Sequence, residues 1–403
     1  MDLRYGRSVV GVLIRKAIAQ GAKIVTIHPN DHSLTLPSEI WIQPKPGEEE
    51  VVLSDIANLL DQKNVRRKNS DLLKLVNLLK NTENPVILVG SEFLQYTNAV
   101  KILNLIENLA KKLNAKILAL PAQNNFFGSL LMGTYPELLP GGLAAEETKN
   151  IQYLKKNWGQ TVPDFSPGWN LEKILSGKKL KVAYLIGEVP PISEPISDYL
   201  IYQNIYPLEH NQIPDLTLPA ATFTEIDGSF INGEGRIQPV RKSVPPPGDA
   251  LPDWLIICKI AQKMGSKLFD YQNVSDIHAE ISKFVKEFSD FEHIDRQPIA
   301  LPESIALEIK TKKTRTGIKP SEEKLFALTF TKAEHIYRGI FLAEKAEGLK
   351  KLIPEDVAII NTDDADNLGL NNNDFVQLIS DEIEESVPVW ISGNQQQGTI
   401  HII

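Results

Sequence analysis

Residues 214–238 read PDLTLPAATFTEIDGSFINGEGRIQ, and this stretch decides the fold class. It ends in Asn232-Gly233-Glu234-Gly235-Arg236, a glycine-rich loop. Such a loop connects two strands well, because glycine adopts positive φ angles without steric cost. Taken alone, the loop therefore favours a structural hairpin over a ligand-binding turn.

The first part of the chain has the pattern of an α/β layer. From Val10, apolar residues recur at helical spacing, and Gly21 follows where a helix C-cap glycine belongs. A strand is predicted at Lys23 to Ile27, but no strand is predicted before the helix. Because a doubly wound fold normally begins with a strand, we expect the chain to start inside a domain.

A second α/β series begins at Pro85 to Gly90, a short apolar run typical of a buried parallel strand. Further strands are predicted at Lys116 to Leu120, Lys181 to Ile186 and Leu200 to Gln203. Between them, Gln123 to Trp169 is rich in Gly, Pro and Asn and is predicted to be a long irregular excursion.

After a polar, proline-containing segment the pattern changes to short strands separated by turn residues, which predicts a small β-barrel. The predicted fold class is α/β, with incomplete doubly wound Rossmann-like domains and a C-terminal β-barrel. The predicted ranges are a partial α/β domain at 1–80, a second α/β domain at 81–295, a linker at 296–324 and the barrel at 325–403.

Composition excludes several classes of protein. The formal net charge of -8 argues against a nucleic-acid surface, which needs clustered Lys and Arg. No run approaches the ~18 to 20 apolar residues of a membrane helix, and the first residues lack the pattern of a signal peptide. We therefore expect a soluble, cytoplasmic protein, with membrane association only through partners.

The chain has a single cysteine, Cys258, so an intrachain disulfide is excluded. An iron-sulfur cluster takes about four thiolates, so we expect none on this chain alone. Cys258 shares a predicted helix face with Trp254, Ile257 and Ala261, which favours a packed core position over a reactive thiol. His28 and His32 are four residues apart, a metal-ligand spacing on a helix, but Pro29 favours a loop there and argues against a metal site.

Residues 214–238 resemble the signature of the molybdopterin oxidoreductase family, in which a DVVLPAATF strand leads into an E-x-D-G-T-F-x-N-x-E-G-R-x-Q loop. Pro245 to Trp254 is similar to the family's PPGEARPDW, and the segments 10–27, 187–190, 337–340 and 360–370 resemble further family motifs in the same order. Within the family, Leu94 to Asn98 and Met132 to Gly141 are most similar to the large iron-sulfur subunit of NADH:quinone oxidoreductase, in its C-terminal portion.

The resemblance implies a molybdopterin guanine dinucleotide cofactor, held where glycine turns and helix N-termini approach its phosphates. Arg236 would pair with a phosphate and Asn232 would hydrogen-bond the pterin or its tail. The positions that match the family's cofactor-binding loops are Gly187, Glu188, Asn232, Gly233, Glu234 and Arg236.

Other positions depart from the family pattern. Where cofactor-binding relatives read I-D-P-R, this chain has Ile27-His28-Pro29-Asn30, so the carboxylate that would hold a ribose is replaced. Where they read R-P-G-T-D, it has Lys45-Pro46-Gly47-Glu48-Glu49, which leaves a displaced acid to recognise guanine. The family's metal ligand lies upstream of all these segments. The resemblance therefore implies the fold more firmly than it implies bound cofactor.

Three functional hypotheses follow. The leading one is a subunit of a multisubunit oxidoreductase resembling NADH:quinone oxidoreductase, structural or partner-dependent in electron transfer, with a separate iron-sulfur subunit supplying the missing N-terminal region. The alternative is a split molybdenum or tungsten enzyme, such as a formate dehydrogenase, whose active site is completed by a partner chain. The third is an interaction scaffold without catalysis.

Overall fold

A computed structural model describes residues 3, 7–65, 69–121, 123–159, 169, 173–174, 179–187, 195–208, 212–286, 288–289, 329–332, 345–351, 356–379 and 384–402. The chain divides into two compact units, Met1–Ala122 with Glu308–Ile403, and Gln123–Leu307. The predicted linker at 296–324 lies outside the described residues.

The first unit begins with alternating helices and short strands. They are α1 (Ser8–Ala19), β1 (Val25–Ile27), β2 (Ile40–Ile42), α2 (Glu49–Leu60), α3 (Ser70–Lys80), β3 (Val86–Val89), a 3-10 turn (Glu92–Gln95), α4 (Ala99–Leu113) and β4 (Lys116–Ala119). β1 pairs with β2 and β3 pairs with β4, both in parallel. Parallel pairing with intervening helices is the predicted α/β pattern.

Capping hydrogen bonds and backbone conformation define the ends of two of these helices. The Asn69 side chain accepts a hydrogen bond from the backbone N–H of Leu72 at 2.7 Å and caps α3. Asn114, with a left-handed φ of 51°, ends α4. One core joins the buried faces of the helices with β2: Ile40, Leu53, Ile56, Leu72, Leu75, Val76, Ile102, Ile106 and Leu109. Elements on both sides of the predicted domain boundary at residue 80 therefore pack around one core. The predicted domain ranges stay predictions.

The second unit contains α5 (Phe126–Leu131), β5 (Leu138–Leu139), β6 (Leu143–Ala144), α6 (Thr148–Trp158), β7 (Leu180–Ile186), β8 (Ser197–Asn204), β9 (Leu216–Pro219), β10 (Gly228–Ile231), β11 (Ile237–Val240), α7 (Asp253–Lys263) and α8 (Val274–Ile281). β7, β8 and β9 form a parallel sheet in that order, while β5-β6 and β10-β11 are antiparallel hairpins. The prediction of an irregular excursion at 123–169 was wrong in part, because the segment includes α5, α6 and the β5-β6 hairpin.

The C-terminal part of the first unit contains β12 (Thr329–Lys332), α9 (Glu347–Lys350), β13 (Ala358–Asn361), α10 (Thr362–Leu368), β14 (Phe375–Ile379), β15 (Glu384–Ser392) and β16 (Thr399–Ile402). The strands form one mixed sheet in the order β12-β16-β13-β15-β14. A closed barrel requires its first and last strands to pair, and in the described residues β12 and β14 lie at opposite edges. The predicted barrel is therefore an open sheet here, while the α/β class is confirmed.

This sheet contacts the β1-β2 region within the same unit. Asn30 Nδ2 lies 3.1 Å from His401 Nδ1, and Gln43 Nε2 donates to the carbonyl oxygen of Asn394 at 2.9 Å. Asn30 is buried, with 2% of its surface exposed, so its amide must be hydrogen-bonded inside the protein. Within the described ranges, no helix is both long and apolar enough to span a bilayer. The cytoplasmic location stays a prediction.

Candidate functional site

The loop between β10 and β11 is held by its own hydrogen bonds. Asn232 Oδ1 accepts from the backbone N–H of Glu234 at 3.0 Å and from that of Arg236 at 2.9 Å. The backbone of Asn232 also bonds Gly235 and Arg236, and Gly235 has a φ of +79°. The acceptor oxygen of Asn232 is therefore used within the hairpin, as the structural interpretation of this loop predicts.

Arg236 and Glu234 form an ion pair on the same loop. Arg236 Nε lies 2.8 Å from Glu234 Oε2, and the two side chains are 36% and 57% exposed. A pair this exposed stabilises the fold by only about 0–1 kcal/mol. A phosphate could therefore replace Glu234 as the partner of Arg236 at little cost.

Gly187 lies on a different element, at the carboxyl end of β7. Its N–H donates to the carbonyl oxygen of Gln203 at 2.9 Å, and its carbonyl oxygen accepts from Asn204 Nδ2 at 2.9 Å. Its φ is +75°, and a Cβ built on it would meet no atom of the described residues within 4 Å. The turn thus combines a glycine conformation with open space, at a sheet edge where α/β proteins bind ligands.

The predicted site residues are brought together only in part. Asn232, Gly233, Glu234 and Arg236 share one hairpin, and no hydrogen bond among the described residues joins them to Gly187. Glu188 lies outside the described residues. Their predicted role in binding a cofactor stays a prediction.

Sequence reasoning missed a cavity of about 380 Å³ in the first unit, lined at one end by polar side chains that follow β1 and β3. His28 follows β1, and its Nε2 lies 2.6 Å from Oε2 of Glu92, which follows β3. The pair brings a carboxylate next to the position at which the chain departs from the family's sequence pattern. No local signal marks Glu92, since 64 residues separate the two partners.

The contact with His28 contributes to the charge state of Glu92. Burial alone would raise the pKa of the Glu92 carboxyl, but the hydrogen bond with His28 and the positive charge of the amino terminus lower this pKa far below its usual range. Glu92 is therefore ionised at neutral pH and holds the His28 ring in place. The His32 ring packs against it edge-on, with centroids 4.5 Å apart.

Replacing Glu92 by glutamine is expected to lower the free energy of unfolding by about 1 kcal/mol at pH 7, because the charge-assisted bond to His28 becomes a neutral one. A folded-state pKa below the ordinary 4.5 stabilises above that value, and the contribution is lost as the pH falls below it. Urea unfolding at pH 7 and at successively lower pH would measure this. The exposed Glu83→Gln serves as control, and an equal loss in both variants would contradict the prediction.

Glu49, the first residue of α2, also lines this cavity. It is 8% exposed, and its Oε2 makes no hydrogen bond with the described residues. Burial raises the pKa of its carboxyl, while hydrogen bonds from the backbone and Tyr96 oppose that rise. A buried acceptor without a partner is uncommon, and it suits a ligand that brings an N–H or O–H donor.

Two other sequence hypotheses concern metals and thiols. Within the described ranges, no three or more His, Cys, Asp or Glu side chains are placed to hold a metal ion. His28 and His32 lie on a loop after β1, where Pro29 predicted one. Cys258 is 3% exposed, and burial raises the pKa of its thiol, as expected of a packed core cysteine.

The fold agrees with comparisons with known proteins. The sequence profile of the molybdopterin oxidoreductase family matches residues 1–263, so the chain belongs to this family. Acetylene hydratase from Pelobacter acetylenicus has a similar fold, with a TM-score of 0.57 and 13% identity over 96% of this chain and 67% of that one.

Individual relatives indicate which members of the family this chain resembles. The F420-dependent formate dehydrogenase subunit alpha of Methanocaldococcus jannaschii is 27% identical, over 96% of this chain and 68% of that protein. A putative formate dehydrogenase of Bacillus subtilis is 23% identical over 93% of this chain and 45% of its own length. These relatives do not support the narrower prediction of an NADH:quinone oxidoreductase subunit. They favour the alternative, a formate dehydrogenase-type subunit.

Proposed function

We propose that this chain is the molybdopterin-binding subunit of a formate dehydrogenase-type complex, with formate as substrate. The observation that carries the proposal is the similarity to an F420-dependent formate dehydrogenase subunit alpha along 96% of the chain. Two relatives from Methanococcus maripaludis with the same kind of name also match over 96% of it. A subunit works with others, so a partner, including an iron-sulfur subunit, completes the electron path.

The residues present suit a pterin dinucleotide in each unit considered by itself. In the first unit, the unpartnered Oε2 of Glu49 would accept a hydrogen bond from the guanine base. In the second, the open turn at Gly187 would let the backbone approach a phosphate, and Arg236 would exchange Glu234 for that phosphate. Glu188, Asn232 and Gly233 complete the proposed contacts. When bound, the group would supply the metal-centred redox chemistry of formate oxidation.

The complex purified from its native source tests the function. We expect molybdenum or tungsten, a fluorescent oxidised pterin, and formate-dependent reduction of a dye. A complex that contains this chain but neither metal nor pterin would exclude the proposal and favour the interaction scaffold. A complex that contains metal and pterin but does not oxidise formate would show that its substrate is not formate.

Removing the Arg236 side chain tests the proposed phosphate contact. Arg236→Ala is expected to reduce the pterin content of the complex by about tenfold, equivalent to about 1.4 kcal/mol of lost binding. The melting temperature should be unchanged, because the pair with Glu234 is exposed. Arg241→Ala, an exposed arginine following β11, is the matched control. Equal pterin content in both variants would show that Arg236 does not hold the cofactor.

A further inference from the structure

The second unit contains a separate cavity of about 250 Å³ with an aromatic lining. Five aromatic side chains line it: Trp158, Trp254, Phe269, Tyr271 and Phe284. Some of these rings contact one another edge-on. The ring centroids of Trp158 and Phe284 are 5.5 Å apart, and those of Phe269 and Tyr271 are 6.5 Å apart. Pockets for drug-sized ligands measure about 300–1,000 Å³, so this cavity suits a smaller molecule than a pterin dinucleotide.

Among the described residues that line the cavity, Glu280 on α8 is the one with a charged side chain. The Tyr271 hydroxyl donates to Glu280 Oε2 at 2.6 Å. Oε1 makes no hydrogen bond or ion pair with the described residues, so no cation among them compensates the carboxylate there. Burial and the contact with Glu280 raise the pKa of Tyr271, which keeps its hydroxyl protonated and donating at neutral pH.

These features specify the chemistry of a ligand. The faces of aromatic rings attract cations, and a carboxylate without a counter-charge beside an apolar wall attracts one further. A primary ammonium would bring three N–H donors, but among the described lining side chains only Glu280 and Tyr271 carry a strong acceptor, since the tryptophan indoles only donate and the others are apolar or weak acceptors. A quaternary ammonium has no N–H group to satisfy, and its methyl groups pack on rings and aliphatic side chains.

We propose that this cavity binds a small quaternary ammonium compound, held by the aromatic wall and the carboxylate of Glu280. None of the residues named for this site is among the proposed cofactor-binding residues. The proposal therefore does not depend on the proposed function.

Choline and its uncharged isostere 3,3-dimethylbutan-1-ol test the proposal on the full-length protein. Isothermal titration calorimetry and tryptophan fluorescence should show saturable binding of choline, with the isostere at least ~10-fold weaker. Equal binding of both compounds would show that the cavity does not recognise positive charge and would contradict the proposal. Absence of saturable choline binding would show that the cavity does not bind quaternary ammonium compounds.

Variants separate charge from folding. Glu280→Gln should weaken choline binding by at least ~10-fold without affecting the isostere, whereas Glu83→Gln, an exposed acid elsewhere, should change neither. Tyr271→Phe keeps the ring and frees Oε2, so it should bind choline at least as tightly as the unmodified protein. If Glu280→Gln does not fold, weaker choline binding by Tyr271→Phe would by itself contradict the proposal.

Discussion

Leu75→Ala is expected to lower the free energy of unfolding of the first unit by about 2–5 kcal/mol, because it leaves a cavity in a close-packed core. Leu75 is 2% exposed and belongs to the cluster that joins α2, α3, α4 and β2. The substitution removes both the transfer free energy of the buried methyl groups and their packing contacts.

Leu73→Ala on the same helix is the matched control. It makes the same chemical change and the same small change in helix propensity, but Leu73 is 42% exposed. Its effect should be about 0.5 kcal/mol or less. Urea unfolding followed by circular dichroism measures both variants. Similar losses would mean that α3 does not bury the face that contains Leu75.

Apolar spacing in the sequence predicted several of the elements. The helix predicted from Val10 is α1, and the strand predicted at Lys181 to Ile186 is β7. Local periodicity suffices there, because each element buries one face. The C-terminal sheet could not be predicted as well. Strand-like segments indicate how many strands form but not whether the edge strands meet.

The candidate sites show the same division between local and long-range information. For residues 232–236 the sequence predicted a structural hairpin as the alternative to a cofactor-binding loop. The hydrogen bonds of this hairpin join residues that are at most four positions apart. The pair of His28 and Glu92 joins residues 64 positions apart. The fold brings these two distant segments together, and no local pattern in the sequence marks their contact.

Glu49→Gln is expected to raise the free energy of unfolding of the cofactor-free protein by about 1–3 kcal/mol at pH 7, because a buried carboxylate with an unpartnered oxygen loses its charge. The folded-state pKa of Glu49 lies above the ordinary 4.5, so ionisation costs stability as the pH rises through the folded value. Below about 4.5 the carboxyl is protonated in both states, and the two proteins should become equally stable. Unfolding across this pH range measures the difference.

The same substitution should have the opposite effect on the complex, since Glu49 is the proposed acceptor for the guanine base. Pterin content is expected to fall by about tenfold, while the protein itself becomes more stable. Glu48→Gln, the neighbouring acid, is the control for charge at the start of α2 and should retain the pterin. A variant that gains stability and keeps its full pterin content would show that Glu49 contributes nothing to cofactor binding.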